Sequence, residues 1–152
     1  MPRKMSTCSY CSREFAARSN QRFCSDKCRF LAWARGEDVQ RCYYCGVPAD
    51  TIDHVPPRSY RQFISCHPIL SAKYKFQEVN ACRECNSVLG AKALWTLSER
   101  KDYIKRYLKR TYGKDKFIEW SNEELDELGY SLRTLVEEQM LVLEVNKKRI
   151  RY

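Results

Sequence analysis

No apolar run in the chain approaches the ~20 residues that a bilayer-crossing helix requires. The opening Met1-Pro2-Arg3-Lys4-Met5-Ser6 is basic but lacks the apolar core of a signal peptide. Together these absences predict a cytoplasmic chain with no membrane partner. Low-complexity tracts are missing, which argues against wholesale disorder, and no segment reads as a helix-turn-helix or another sequence-reading module. The joint at residues 37–41, Glu-Asp-Val-Gln-Arg, holds no Pro, Gly or Ser, so the segments on either side are expected to be closely coupled rather than tethered.

What is present is cysteine and positive charge. The 152 residues, 43% hydrophobic and 31% charged, suit one ordinary globular domain or two very small ones. Lys and Arg number 28 against 19 Asp and Glu, a formal +9. Such a balance favours a polyanionic partner, because each phosphate neutralised releases condensed counterions. Nine cysteines fall as four close pairs, Cys8/Cys11, Cys24/Cys28, Cys42/Cys45 and Cys82/Cys85, with Cys66 alone. Cysteines so close in sequence bridge one another poorly, and no export signal points to an oxidising compartment, so thiolate ligation of zinc is the better reading. Positive charge together with zinc-type sites points towards nucleic acid.

Residues 1–36 form the first unit. Cys8 and Cys11 make a knuckle, a short hairpin turns the chain round, and Cys24 and Cys28 lie at the start of a helix predicted over Ser25 to Arg35. Ser25 or Asp26 caps it, Gly36 closes it, and Phe30, Leu31 and Trp33 supply a core too small to fold without metal. The Cys-x2-Cys…Phe-Cys-Ser-x3-Cys pattern resembles treble-clef and FCS-type zinc fingers. Arg13, Arg18, Arg22, Lys27, Arg29 and Arg35 are candidate phosphate contacts, with a scaffold or protein-binding role as the alternative.

The second unit, residues 41–97, opens with Cys42-Tyr43-Tyr44-Cys45-Gly46 and a hairpin strand over Ala49 to His54, which Pro56 and Pro57 end. Residues 58–76 read as an irregular excursion in which Arg58, Arg61, Lys73 and Lys75 alternate with Tyr60, Phe63, Tyr74 and Phe76. Interleaving of this kind can line a nucleic-acid channel, although Phe63 and Phe76 are expected to cover the core. A helix is predicted from Cys82 to about Leu97. His67 beside Cys66 is read as a structural loop residue.

The third segment, residues 98–152, reads as helical. Ser98 is expected to cap a helix to about Tyr112, with Ile104, Tyr107 and Leu108 inward and Arg100, Lys101, Lys105, Arg106, Lys109 and Arg110 outward. Ser121-x-x-Glu124 is a capping box expected to open the longest helix, to about Lys147. From Asp115 to Val145 nine acidic residues face only Lys116 and Arg133, which makes this helix a partner for the basic helix in a hairpin, or for a second copy or another protein, rather than for DNA.

Four thiolates split as Cys42-x2-Cys45 and Cys82-x2-Cys85 make a closed zinc site with no position left to activate water. Chemistry must come from its neighbours. His54 is the natural general base, and Asp53 and Asn86 are hard oxygen donors suited to Mg2+ or Mn2+. The set Cys-x2-Cys, Asp53-His54-Val55-Pro56-Pro57-Arg58 and Cys82-x2-Cys85-Asn86 resembles the zinc-stabilised HNH endonucleases of the ββα-metal fold, over Arg41 to about Lys92. The resemblance implies a phosphodiesterase acting on DNA, with His54 as base, Asp53 and Asn86 holding one catalytic Mg2+ or Mn2+, and 5′-phosphate and 3′-hydroxyl products. The residue that aims the base is Gln77 by spacing, with Asn80 as the alternative. Small size and domain set resemble nucleases of bacteriophages and mobile elements.

The expected architecture is a small α+β chain of two zinc-stapled treble-clef or ββα-type units followed by a C-terminal helical hairpin. It would hold two structural Zn2+ ions and bind DNA through Arg58, Arg61, Lys105, Arg106 and Lys109. A homodimer or protein partner would dock on the last helix or on the N-terminal finger. The competing expectation is a non-catalytic zinc-finger DNA-binding or adaptor protein.

Overall fold

A computed structural model describes residues 4–17, 21–36, 39–114 and 118–152. The described residues form a small α+β fold with two separate two-stranded sheets, seven helices and two four-cysteine clusters. Arg18, and the Glu37 and Asp38 of the predicted joint, lie outside the described residues, as do Asp115 and Lys116.

The first sheet pairs β1 (Lys4–Thr7) antiparallel with β2 (Glu14–Ala17), and the knuckle of Cys8 and Cys11 forms the turn between them. Helix α1 (Asp26–Ala34) begins where Ser25 Oγ accepts a 3.2 Å hydrogen bond from the Cys28 amide, the cap expected from sequence. Cys8, Phe23, Cys28, Ala32 and Val39 are its small core, with Trp33 against them. The charged side chains of α1 mostly serve the protein itself: Arg29 pairs with Asp26 and, at 2.9 Å, with Asp50 of the second unit, and Lys27 pairs with Glu138 of the last helix. Arg29 and Lys27, expected as phosphate contacts, are thus engaged in holding the finger to the remainder of the chain.

In the second unit β3 (Thr51–Val55) pairs antiparallel with β4 (Gln77–Ala81). The excursion between them is not irregular. It folds into a 3-10 turn (Arg58–Tyr60) and the short helices α2 (Arg61–Ser65) and α3 (Pro68–Lys73). Phe63 and Phe76, expected to cover the core, are instead 49% and 36% exposed. Helix α4 (Arg83–Leu89) is shorter than the pattern predicts, because Gly90 leaves the helix at φ +46°, a value that side-chain-bearing residues rarely adopt.

The helical segment begins with α5 (Leu97–Tyr112), where Thr96, not Ser98, is the cap, in a reciprocal box with Glu99. The Ser121–Glu124 box also forms, but it opens only α6 (Asn122–Asp126). Gly129 is extended, at φ −60° and ψ 151°, so the expected single long helix is broken and α7 (Tyr130–Arg151) starts anew. Helices α5 and α7 pack together, and one core joins them to the zinc hairpin: Tyr44, Val47, Ala81, Leu89, Ile104, Leu108 and Val145 are all members.

Arg100 is the main departure from the sequence reading. It was expected on the outer face of α5, yet it is 0% exposed, in line with Ile104 and Leu108 one and two turns on. Its guanidinium grips Asp53 through two bonds, Nη2 to Oδ1 at 2.7 Å and Nε to Oδ2 at 2.9 Å, and Nη1 donates to the Leu94 carbonyl at 3.1 Å. The Tyr44 hydroxyl donates to Asp53 Oδ2 as well. Removing one member of such a pair leaves a buried charge alone, so Arg100→Ala is expected to lower stability by about 3–5 kcal/mol, read as a lower urea midpoint at unchanged slope. A loss under about 1 kcal/mol would group the pair with exposed salt bridges.

Candidate functional site

The two four-cysteine groups are Cys8, Cys11, Cys24, Cys28 and Cys42, Cys45, Cys82, Cys85, and within each the sulfurs lie within 4.8 Å of one another. A tetrahedron with ~2.3 Å zinc–sulfur bonds has edges of about 3.8 Å. The Cys11–Cys24, Cys24–Cys28 and Cys45–Cys82 sulfurs stand 3.6, 3.5 and 3.7 Å apart, which fits that edge. Both sets can therefore hold zinc, and both are closed sites suited to structure.

The sulfurs also compete for protons in a way a dication would resolve. Cys42 is drawn towards the thiolate by hydrogen bonds from Cys45, Cys82 and Cys85, while Cys85 is pushed up by donating to those neighbours. In the finger, burial raises Cys8, but the amides of Cys11, Cys24 and Tyr10 bring it down to about 6. Its neighbour Cys24 is pushed up to about 12, first by its bond to Cys28. Local backbone sets the second cluster: Gly46, at φ +72°, turns the knuckle, and the Cys82 sulfur caps α4 by accepting from the Cys85 amide at 3.5 Å.

The clamp holds β3 against α4 with Asn86 one residue past the last cysteine. Asn86 Nδ2 donates to Thr51 Oγ1 at 3.2 Å and to the Ile52 carbonyl at 3.3 Å, so its amide nitrogen meets the hairpin. Asp53 does not present a free ligand. It is 3% exposed, and both carboxylate oxygens already accept from Arg100 and Tyr44. Burial and that carboxylate push the Tyr44 phenol up, so it stays a donor. A Mg2+ or Mn2+ ion keeps several waters and binds oxygen at ~2.1 Å. Here a guanidinium and a phenol occupy both oxygens of a carboxylate that is almost wholly shielded from water. The residues present do not fit a catalytic divalent ion at Asp53 in this conformation.

His54 lies on the other face of β3. Strand side chains alternate, so where Asp53 points inward to α5, His54 points out to a cleft of about 230 Å³ lined by Pro56, Arg58, Arg61, Phe76, Gln77 and Glu78. The register sets His54 opposite Glu78, whose Oε1 is 3.1 Å from Nε2. That approach is an ion-pair distance but lies off the hydrogen-bonding direction, and Nε2 is buried with no aligned partner. Gln77 lines the same cleft, opposite Val55, while Asn80 sits opposite Ile52. Glu78 is the residue that the sequence reading missed. Its signal is the strand register, which pairs 54 with 78 and which local pattern does not supply.

Arg58 and Arg61 are exposed at the cleft, Arg61 with its guanidinium 5.3 Å from the Phe76 ring centre. Lys105, Arg106 and Lys109 are exposed on α5 and do not line this cleft. His67 is a structural residue of the excursion, its Nδ1 2.7 Å from the Phe63 carbonyl, and Cys66 is exposed outside both clusters.

Native mass spectrometry is expected to find two zinc ions per chain and one in Cys85→Ser. Titration with Mn2+, followed by its electron paramagnetic resonance, is expected to give the same affinity for Asp53→Asn as for the parent. A tenfold loss at unchanged thermal stability would make Asp53 a metal ligand after all. Compared with protein-family models, with curated proteins and with solved structures, the chain matches none of them.

Proposed function

We propose that this chain is an HNH-type endonuclease that hydrolyses DNA phosphodiesters in the His54 cleft. The observation that carries the reading is the cleft itself: an imidazole beside a carboxylate, with Arg58 and Arg61 at hand, on a hairpin that a four-cysteine cluster ties to α4. The phosphate seats against the two guanidiniums, which neutralise its charge. His54 takes a proton from water as the oxygen attacks phosphorus, the bond to O3′ breaks, and the electron pair leaves on that oxygen. The 3′ oxygen gains a proton, leaving a 3′-hydroxyl and a 5′-phosphate. Lys105, Arg106 and Lys109 track the flanking backbone. The divalent ion that the HNH resemblance implies has no seat at Asp53, whose oxygens Arg100 and Tyr44 already hold.

A second reading has its own support in the burial of Asp53 beneath Arg100. In it the chain is a non-catalytic zinc-stabilised DNA-binding or adaptor protein, and Asp53 serves only to anchor α5. The apolar residues exposed along α7, Tyr130, Leu132, Leu135 and Val142, support a protein partner or a second copy in either reading.

Nicking of supercoiled plasmid with Mg2+ or Mn2+ separates the two. His54→Ala is expected to lower nicking by about 10²–10⁴-fold with DNA binding retained. Replacing Lys105, Arg106 and Lys109 with Ala is expected to weaken binding and flatten its salt dependence by about 0.9 per charge removed. Folded, zinc-loaded protein that binds DNA but nicks no form of it rules for the adaptor.

A further inference from the structure

Phe76 was expected in the core, yet its ring is 36% exposed among the residues that line the His54 cleft. It is the last residue before β4, so the strand that sets Glu78 opposite His54 also fixes Phe76 beside the cleft. Single exposed apolar side chains are common on protein surfaces and mean little by themselves. Phe76 differs in its surroundings. The Arg61 guanidinium lies 5.3 Å from its ring centre, and Arg58 lines the same cleft. Phe76 belongs to neither apolar core, and among the described residues no aromatic ring packs on it. Phe63, the other exposed phenyl of the excursion, has its ring engaged, with His67 4.4 Å and Trp95 6.3 Å away between ring centres.

Charge states what such a surface fits. Residues 56–77 hold Arg58, Arg61, Lys73 and Lys75 and not one Asp or Glu, in a chain with 19 acidic residues. Glu78 is the one carboxylate lining the cleft, and it stands 3.1 Å from the His54 imidazole. A surface with cations alone complements a polyanion. Where guanidiniums and an aromatic face meet, they match the two halves of a nucleotide, the cation for its phosphate and the ring for its base. Paired bases in a duplex stack on one another and show only their edges in the grooves. A base offers its face only when it is unpaired.

We infer that Phe76 stacks on the nucleobase beside the phosphate that Arg58 and Arg61 hold, so that the cleft takes DNA with unpaired bases in preference to continuous duplex. This rests on the His54 cleft being a DNA site, as proposed above, and not on any cutting there. Arg61 then has two partners, the Phe76 ring behind it and the phosphate in front, and its stacking on the ring holds the guanidinium in place before DNA arrives.

Fluorescence anisotropy of the full-length protein with a labelled oligothymidylate, and with a blunt duplex of equal length, tests this. The parent is expected to bind the single strand more tightly. Phe76→Leu is expected to weaken single-strand binding about 5–150-fold, the loss of one stacked base, with duplex binding unchanged. Phe76→Tyr, which keeps a ring face, and Phe63→Leu, off the cleft, are both expected to bind as the parent does. A parent that prefers duplex, a Phe76→Leu that binds single strand normally, or an equal loss on both forms overturns the inference. Should Phe76→Leu fail to fold, irradiation of the parent bound to an oligothymidylate carrying 5-iodouracil decides: a crosslink at Phe76 is expected, and crosslinks only elsewhere overturn the inference. Nicking separates this from the nuclease reading. Single-strand binding that depends on Phe76, in a protein that cuts no DNA, keeps the stacking site and removes the nuclease; cutting of linear duplex that Phe76→Leu leaves unchanged, with no preference for single strands, does the reverse.

Discussion

Negative charge has been taken out of water at the hairpin, and the chain beyond residue 97 is arranged around compensating it. Asp53 and the Cys42, Cys45, Cys82, Cys85 cluster are both buried in or beside one small core. Buried negative charge calls for a cation or hydrogen-bond donors at close range. The cations come from the two long helices, Arg100 from α5 to Asp53 and Arg149 from α7 to Glu84 beside the cluster. A helical appendage with exposed apolar and charged faces would ordinarily be free to shift. Here it is held against the hairpin and α4 by two buried guanidiniums, Arg100 on Asp53 and Arg149 on Glu84.

The same hairpin separates Asp53 from His54 by the alternation of a strand. Adjacent residues face opposite ways, so the Asp53-His54 step sends its acid into the core and its imidazole to the surface. An Asp-His pair that reads in one dimension as a shared site is divided in three dimensions by the thickness of a sheet. The strand register sets Glu78 opposite His54, with its Oε1 3.1 Å from Nε2, while Gln77 lines the same cleft.

Much of this was legible in the sequence because it is local. Paired cysteines, the Ser25 cap and the Ser121–Glu124 box are patterns within a few residues, and each has the partner it announces. The burial of Arg100 was legible too, in principle: it lies four and eight residues before Ile104 and Leu108 and so shares their stripe, but positive charge argued for the outer face. What could not be read is non-local. The pairing of His54 with Glu78 and of Asp53 with Arg100 depends on how distant segments meet. The breaks at Gly90 and Gly129 depend on whether tertiary packing tolerates a continued helix, which periodicity cannot weigh.

The spacing of the cysteines has a further consequence, in the entropy of the unfolded chain. The first cluster joins Cys11 to Cys24 across 13 positions, whereas the second joins Cys45 to Cys82 across 37. Closing the longer ring is entropically harder by about 1 kcal/mol, from the logarithm of the loop lengths. That ring also contains β3, both short helices and β4, and hence every residue lining the His54 cleft. A metal held by the second cluster would therefore act as a topological crosslink whose loop is the cleft itself.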